Sequence, residues 1–176
     1  MDRVTQLRVE NAKLKQKVDD LEQRILSIVG LIKIFPSGVE KKKEELNNKI
    51  QELLSTPSSK VRILTPKIGP FYLGLISQIA QKGTPVLLII NDRRNIPAEY
   101  QQYYDQLKNK ANISIVNNPN VKYLLVMNDT EVVYSGGSLV QKELSGSILV
   151  GTQVKEKNKI TKIEKIFNNM LPSFMR

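Results

Sequence analysis

The 176-residue sequence contains no cysteine and no histidine. Without cysteine the chain has no disulfide, no thiolate nucleophile and no sulfur ligand for a metal. Without histidine it lacks the imidazole on which Ser-His-Asp, Cys-His and phosphohistidine chemistry depend, and it also lacks the commonest nitrogen ligand of zinc. These two absences exclude most enzyme classes, and we expect no metal and no cofactor.

Long apolar runs are also missing. No stretch of about 18 apolar residues could cross a membrane, and the first residues have no apolar core followed by small side chains, as a secretory signal would. We therefore expect a cytoplasmic protein with no membrane partner. The composition is that of an ordinary globular protein, with 40% hydrophobic and 6% aromatic residues. The length suits one compact domain plus an appendage.

Acidic residues are too few to balance the basic ones, which leaves a net charge of +10. Residues 1–58 carry eleven Lys and Arg against nine Asp and Glu, whereas residues 59–176 carry sixteen against eight, a net charge of +8. This excess suggests an acidic partner, of which nucleic acid is the commonest, although a solvated basic surface would give the same count. Arg93 and Arg94, in the loop after an apolar strand, are the best-placed candidates for phosphate contacts.

The first 32 residues repeat an apolar pattern every seven positions. The seam so predicted is formed by Val4, Leu7, Asn11, Leu14, Val18, Leu21, Ile25 and Ile28, with Ile32 next in the series. β-Branched residues at one heptad position and leucines at the other favour two parallel helices. The single Asn11 agrees, because a lone amide in a seam pairs with its twin only in register. The sequence therefore predicts a homodimer through a parallel coiled coil.

The charges beside the seam test the parallel orientation. They give two attractive pairs across the dimer, one repulsive pair and one neutral pair: Glu10 with the partner's Lys15, Lys17 with the partner's Glu22, Arg3 with the partner's Arg8, and Arg24 with the partner's Val29. This distribution supports a parallel dimer without deciding it. The alternative is an amphipathic helix packed on its own domain, but the length of the repeat favours pairing between chains.

We predict that this helix runs to Phe35 and enters a core there, and that Pro36-Ser37-Gly38 breaks it. Ser37 and Glu40 have the spacing of a capping box, which predicts a second helix from about Val39. A polar linker follows at 55–59. The predicted domains are a coiled-coil helix at 1–35, a second helix and linker at 36–59, and an α/β domain at 60–176.

The α/β domain shows alternating strand and helix patterns. Strands are predicted at 61–64, 85–90, 113–116, 121–127, 131–134 and 147–150, with helices at 71–81, 98–109 and 159–171. The continuous apolar run at 85–90 is typical of a central strand that is covered on both faces. Gly83 is suited to ending a helix, and Asn128-Asp129 to a hairpin turn. The fold class is therefore α/β, with a mixed sheet flanked by helices.

Residues 120–139 resemble the signature segment of the phospholipase D superfamily, in which His-x-Lys opens a strand and a Gly-Ser-x-Asn turn follows a second strand. Lys122 holds the lysine position and Asn120 the histidine position, Met127 lies at or beside the acidic position, and Ser135-Gly136-Gly137-Ser138 replaces the turn. The resemblance covers about residues 61–171. It implies a phospholipase D-like sheet in which these residues could hold a phosphate or sugar, and without the nucleophilic imidazole we expect no catalysis.

The combination of a dimerising helix, a linker and a degenerate phospholipase D-like segment is similar to the effector half of the TrmB-like archaeal transcription regulators. That family has a winged helix-turn-helix before the coiled coil, and its degenerate domain senses a small molecule, often a sugar. Here Met1 opens directly into the heptads, so we expect the DNA-reading domain to be missing, either because it was removed or because this protein never had one. The resemblance implies a non-catalytic dimeric regulator, and the alternative is a dimer that binds nucleic acid through its basic face without sequence preference.

Overall fold

A computed structural model describes residues 2–176, with the backbone alone at 23, 26 and 27. The helices are α1 (Arg3–Leu31), α2 (Glu45–Ser55), α3 (Pro70–Gln81), α4 (Ala98–Lys108), α5 (Gln141–Gly146) and α6 (Lys157–Asn169). The strands are β1 (Ile32–Ser37), β2 (Val61–Thr65), β3 (Val86–Ile90), β4 (Ile113–Asn117), β5 (Leu124–Met127), β6 (Val132–Ser135) and β7 (Leu149–Val154). Within this part of the chain, no helix is both long and apolar enough to span a bilayer.

The strands form one mixed sheet in the order β1-β7-β6-β5-β2-β3-β4. β2, β3 and β4 are parallel, because α3 and α4 provide the crossovers between them, and all other pairings are antiparallel. The predicted mixed sheet flanked by helices is thus confirmed. Two local predictions are confirmed as well: Gly83 has φ +92° after α3, and the Asn128 side chain accepts hydrogen bonds from the backbone of Thr130 and Glu131 in the hairpin turn.

Helices cover both faces of the sheet, which explains the apolar runs in its central strands. On one face α2, α3, α4 and α5 pack against alternate strand residues that include Ile63 and Leu88. On the other face α6 packs Ile160 and Phe167 against a smaller cluster that includes Ile89. Since β3 is buried on both sides, it reads as continuously apolar rather than alternating.

The prediction that the first helix runs to Phe35 was wrong in its last residues. α1 ends at Leu31, and β1 pairs antiparallel with β7 from Ile32 opposite Val154 to Ser37 opposite Leu149. Ile32 is therefore a strand residue rather than the next seam position. Phe35 is buried against the backbone of β7, and an edge strand tolerates Pro36 because its outer side makes no ladder hydrogen bonds.

The capping-box prediction was also wrong. A short 3₁₀ helix occupies Glu40–Lys42, and α2 begins only at Glu45. The Ser37 hydroxyl accepts a hydrogen bond from the backbone of Leu46 at 3.0 Å, so it supports the start of α2 from nine residues upstream. The predicted apolar face of this helix is correct from Leu46 onward, since Leu46, Ile50, Leu53 and Leu54 are buried.

α1 leads away from the sheet with its predicted seam uncovered. The side chains of Val4, Leu7, Leu14, Val18, Leu21, Ile25 and Ile28 are between 52% and 61% exposed, and Asn11 is exposed as well. Among the described residues, none covers this stripe, so the alternative of packing on its own domain does not apply here. Dimerisation through the stripe stays a prediction.

Gly151 provides a test of how β1 docks on β7. A Cβ at this position would lie 2.4 Å from Cζ of Phe35, so Gly151→Ala should lower the free energy of unfolding by about 1–3 kcal/mol through overpacking. Urea unfolding would measure the change, and adding Phe35→Leu should recover part of it. Gly74→Ala is the control, because nothing lies within 4 Å of its added Cβ and an alanine in α3 should be neutral or stabilising. Equal stability of the two glycine variants would contradict this docking.

Candidate functional site

Four strands end at one edge of the sheet and bring their following loops together. β2, β3 and β4 run parallel, and β6 runs the same way because it lies two antiparallel steps from β2. Their last residues are Thr65, Ile90, Asn117 and Ser135. Loops beyond the carboxyl ends of parallel strands are the usual place for ligands in α/β sheets. The predicted residues Asn120, Lys122, Ser135, Gly136, Gly137 and Ser138 all lie at this edge.

Hydrogen bonds of the Thr65 hydroxyl and of the backbone join the loop after β2 to the loop after β6. The Thr65 hydroxyl donates to the carbonyl of Lys67 at 2.8 Å and accepts from the amide of Leu139 at 2.9 Å. The amide of Gly69 donates to the carbonyl of Leu139 at 2.7 Å. These bonds hold Lys67 and Ser138 side by side, although they are far apart in sequence.

The carboxylate of Glu143, in α5, lies between those two residues. Its Oε2 accepts the Ser138 hydroxyl at 2.7 Å and lies 3.0 Å from Nζ of Lys67. The Lys67 ammonium also lies 5.1 Å from the ring centroid of Tyr100, a favourable cation–π arrangement. Ser138 is only 1% exposed. The site therefore already contains an anion of its own, and an external phosphate would have to displace Glu143.

The other predicted residues at this edge do not converge on one point. The Ser135 hydroxyl donates to the carbonyl of Val150 at 2.9 Å, so it is directed at β7. Gly137 has φ +82°, which the turn into α5 requires and glycine adopts readily. Asn120 and Lys122 are exposed, and within the described chain the Lys122 ammonium has no hydrogen-bond or ion-pair partner. The structure thus brings all six residues to one edge, and of these Ser135 and Gly136 share a groove.

Met127, which lies at or beside the acidic position of the phospholipase D signature, belongs to the hydrophobic core. Met127 ends β5 at the opposite edge of the sheet from Ser135, which pairs with Leu124. It is buried in the apolar cluster beneath α6. A carboxylate there would be desolvated without a partner, so the substitution by methionine suits the packing.

The two arginines that are predicted to contact phosphate, Arg93 and Arg94, have different surroundings. Arg93 makes a bidentate contact with Asp105, with Nε to Oδ1 and Nη2 to Oδ2 both at 2.8 Å. The hydrogen bond with Asp105 raises the pKa of Arg93, and the hydrogen bond from Arg93 lowers the pKa of Asp105. The charge of Arg93 is therefore offset locally. Arg94 is exposed, and no carboxylate of the described residues pairs with it.

Sequence reasoning missed both the partners of Ser138 and a groove on the sheet face beside α6. The groove has a volume of about 590 Å³, and its lining includes Tyr123, Tyr134, Val150 and Ile166 together with two of the predicted residues, Ser135 and Gly136. The two tyrosines are 38% and 41% exposed, and burial raises the pKa of Tyr123. Such a surface could hold a ligand with an apolar face through its rings and hydroxyls. The available signal was the presence of Tyr134 and Val150 in predicted strands, but no local pattern shows that these two side chains stay exposed.

No protein-family model and no curated protein matches this sequence. Solved structures do match the fold. NucT from Helicobacter pylori aligns with a TM-score of 0.66 at 14% identity, covering 79% of this chain and 94% of that one. Nuc from Salmonella typhimurium, a phospholipase D family member, aligns with a TM-score of 0.61 at 8% identity, covering 79% and 93%. At these identities the likeness establishes a phospholipase D-like fold.

A third solved structure extends the likeness into the N-terminal helix. The archaeal chromatin protein TrmBL2, which binds DNA, aligns with a TM-score of 0.52 at 13% identity. The alignment covers 95% of this chain and 63% of TrmBL2. It therefore includes most of α1 at least, because only about 5% of this chain lies outside it.

The Glu143 network generates a stability prediction. Glu143→Ala should lower the free energy of unfolding by about 1–3 kcal/mol, because it leaves the buried Ser138 hydroxyl and the Lys67 ammonium without their acceptor. Urea unfolding would measure this. Lys122→Ala, at an exposed position on the same edge, is the control and should stay within about 0.5 kcal/mol of the parent. If both variants were equally stable, the network would contribute nothing to the fold.

Proposed function

We propose that this chain is a non-catalytic, dimeric regulator module, resembling the effector-sensing and dimerisation part of a TrmB-like transcription regulator. The observation that carries the proposal is the exposed apolar stripe that the heptad positions form on α1. This helix leads directly into β1, the edge strand of a phospholipase D-like sheet. The likeness to TrmBL2 over 95% of the chain supports the same combination of helix and domain.

The dimer would form along α1. Seven half-exposed apolar side chains would be buried in the partner's corresponding holes, and Asn11 would fix the parallel register. Because the helix ends at Leu31 and β1 begins at Ile32, the two sheets would emerge side by side at the end of the coil. The domains are then positioned by the coiled coil rather than by a flexible linker.

Removing residues 1–28 should therefore give a monomer by light scattering, with β1 retained to preserve the sheet. Leu14→Glu combined with Leu21→Glu should have the same effect in the full-length chain, because it places charge in the seam. Ala12→Glu with Gln16→Glu, on the outer face of α1, is the matched control and should remain dimeric. A dimer that survives the deletion would place the interface in the α/β domain and contradict this proposal.

The proposed lack of catalysis follows from the chemistry that the phospholipase D resemblance would require. That mechanism needs one imidazole as the nucleophile and a second to protonate the leaving group. The sequence contains no histidine, and the exposed amide of Asn120 is not a nucleophile at neutral pH. Lys122 alone could attract a phosphate without cleaving it.

We expect the pure protein to release no product from a chromogenic phosphodiester above the rate in buffer. A phospholipase D-type nuclease in the same assay would serve as the positive control. Turnover by this protein that Lys122→Ala abolishes would overturn the proposal, since it would assign the activity to this edge of the sheet. Turnover that survives Lys122→Ala would point to a contaminant and would be followed through further purification.

A small-molecule effector, such as a sugar, belongs to this proposal through the resemblance. The hydroxyls of Ser135 and Ser138 already have protein acceptors. An effector would therefore be better served by the groove with Tyr123 and Tyr134, where two aromatic rings are exposed.

The second candidate is a dimer that binds nucleic acid without sequence preference. Two observations favour it: the +8 charge of residues 59–176 and the likeness to a chromatin protein that binds DNA. Phosphate contacts carry affinity without reading bases. Pairing two basic domains on one coil would also convert two weak contacts into one stronger attachment.

A further inference from the structure

The excess charge of the α/β domain is concentrated near its C-terminus. Residues 155–176 carry six Lys and Arg against two Glu, a net charge of +4, which is half of the +8 of residues 59–176. Four of these lysines, at positions 157, 159, 162 and 165, belong to α6. The direction in which α6 presents them determines whether they can act together.

α6 turns its lysines away from the sheet. Ile160 and Phe167 are buried on the side that faces the strands. At 100° per residue, Lys162 and Lys165 lie on the opposite side, and Lys157 lies at the margin of the exposed side, about 60° from Ile160. All three are exposed. We call these three residues the lysine face. Lys159 lies at its flank, next to the exposed Ile166 on the side of the groove.

The two glutamates of this segment do not neutralise the lysine face. Glu156 caps α6 by accepting hydrogen bonds from the backbone of Asn158 and Lys159. Glu164 contacts Arg62 in β2 and Lys60 just before that strand. Burial alone would raise the pKa of Glu164, but the hydrogen bonds from Arg62 and Lys60 lower it, so the carboxylate stays ionised and engaged. Within residues 2–176, none of the three lysines pairs with a carboxylate.

We propose that the lysine face of α6 binds the phosphate backbone of duplex nucleic acid. The inference rests on the nucleic-acid candidate above and names its surface. Lys157 and Lys165 are separated by about 12 Å along the helix axis, at 1.5 Å per residue. A duplex presents about one charge per 1.7 Å, so the three ammonium groups can contact separate phosphates at once.

The surroundings of the lysine face favour nucleic acid over a membrane. The residues between the lysines are polar: Asn158, Thr161 and Asn169. Amide and hydroxyl side chains are regular phosphate contacts. A helix that lies in a membrane interface instead places its apolar side in the lipid, whereas Ile160 and Phe167 of α6 are buried against the sheet and Ile166 is left exposed beside the groove.

The test measures binding of a labelled duplex of arbitrary sequence by fluorescence anisotropy at several salt concentrations. The test variant is Lys157→Gln, Lys162→Gln and Lys165→Gln together. The control variant, Lys82→Gln, Lys108→Gln and Lys110→Gln, removes the same charge from exposed lysines at the ends of α3 and α4. A third variant replaces the lysine face with three arginines. Circular dichroism would confirm that all of them are folded.

The lysine-face variant should lose at least about tenfold in affinity at 50 mM salt. The slope of the logarithm of the association constant against the logarithm of salt concentration is negative, and its magnitude should decrease by about 2.7, or 0.9 for each lost phosphate contact. The control and arginine variants should keep the parental slope. Equal losses in the test and control variants would overturn the assignment to α6 while leaving nucleic-acid binding in place. If the intact protein showed no binding at 50 mM salt, the nucleic-acid candidate itself would fail.

Vesicles containing phosphatidylglycerol test whether the lysine face binds the phosphates of a membrane instead of those of nucleic acid. If the intact protein bound these vesicles and not the duplex, and the lysine-face variant bound neither, the surface would belong to a membrane partner and the proposal would be wrong. Binding of the duplex alone, lost in the same variant, would support it.

Discussion

The antiparallel ladder between β1 and β7 is the interaction on which the arrangement of this protein depends. It incorporates the residues that follow α1 into the sheet, and Phe35 reinforces it by packing in the space left by the missing side chain of Gly151. Without this ladder, α1 would be attached to the domain by a loose segment. With it, the direction of a 29-residue helix is set by the edge of a seven-stranded sheet.

The carboxyl edge of the sheet shows how a ligand-binding place can be filled from within. Loops after β2 and β6 converge there, as they would around a substrate, but Glu143 provides the negative charge and Lys67 and Ser138 already bind it. The polar groups at this edge therefore stabilise the fold. Exposed functional groups lie beside this network, in the tyrosine-lined groove that Ser135 and Gly136 also line, and on the outer side of α6.

Much of the fold was predictable because its patterns are local. The apolar run of β3, the turn at Asn128 and the amphipathic α6 each follow from neighbouring residues alone. β1 was missed because Ile32 fits both the next heptad position and a strand, and only pairing with β7 decides between them. α5 has six residues, too few to show a helical period. The contact of Lys67 with Glu143 joins distant segments, so no local pattern could indicate it, whereas the lysine face could have been read from a helical wheel.

The direct passage from α1 into β1 has a consequence for how such a chain can change over evolution. One extra residue at the junction of Leu31 and Ile32 would rotate the helix by about 100° relative to the strand. Were the slip absorbed in the strand instead, every side chain of β1 would move to the opposite face of the sheet. A change of length at this junction would thus alter either the direction of the heptad stripe or the register of β1. We expect length variation to accumulate in the surface loops and not at this junction.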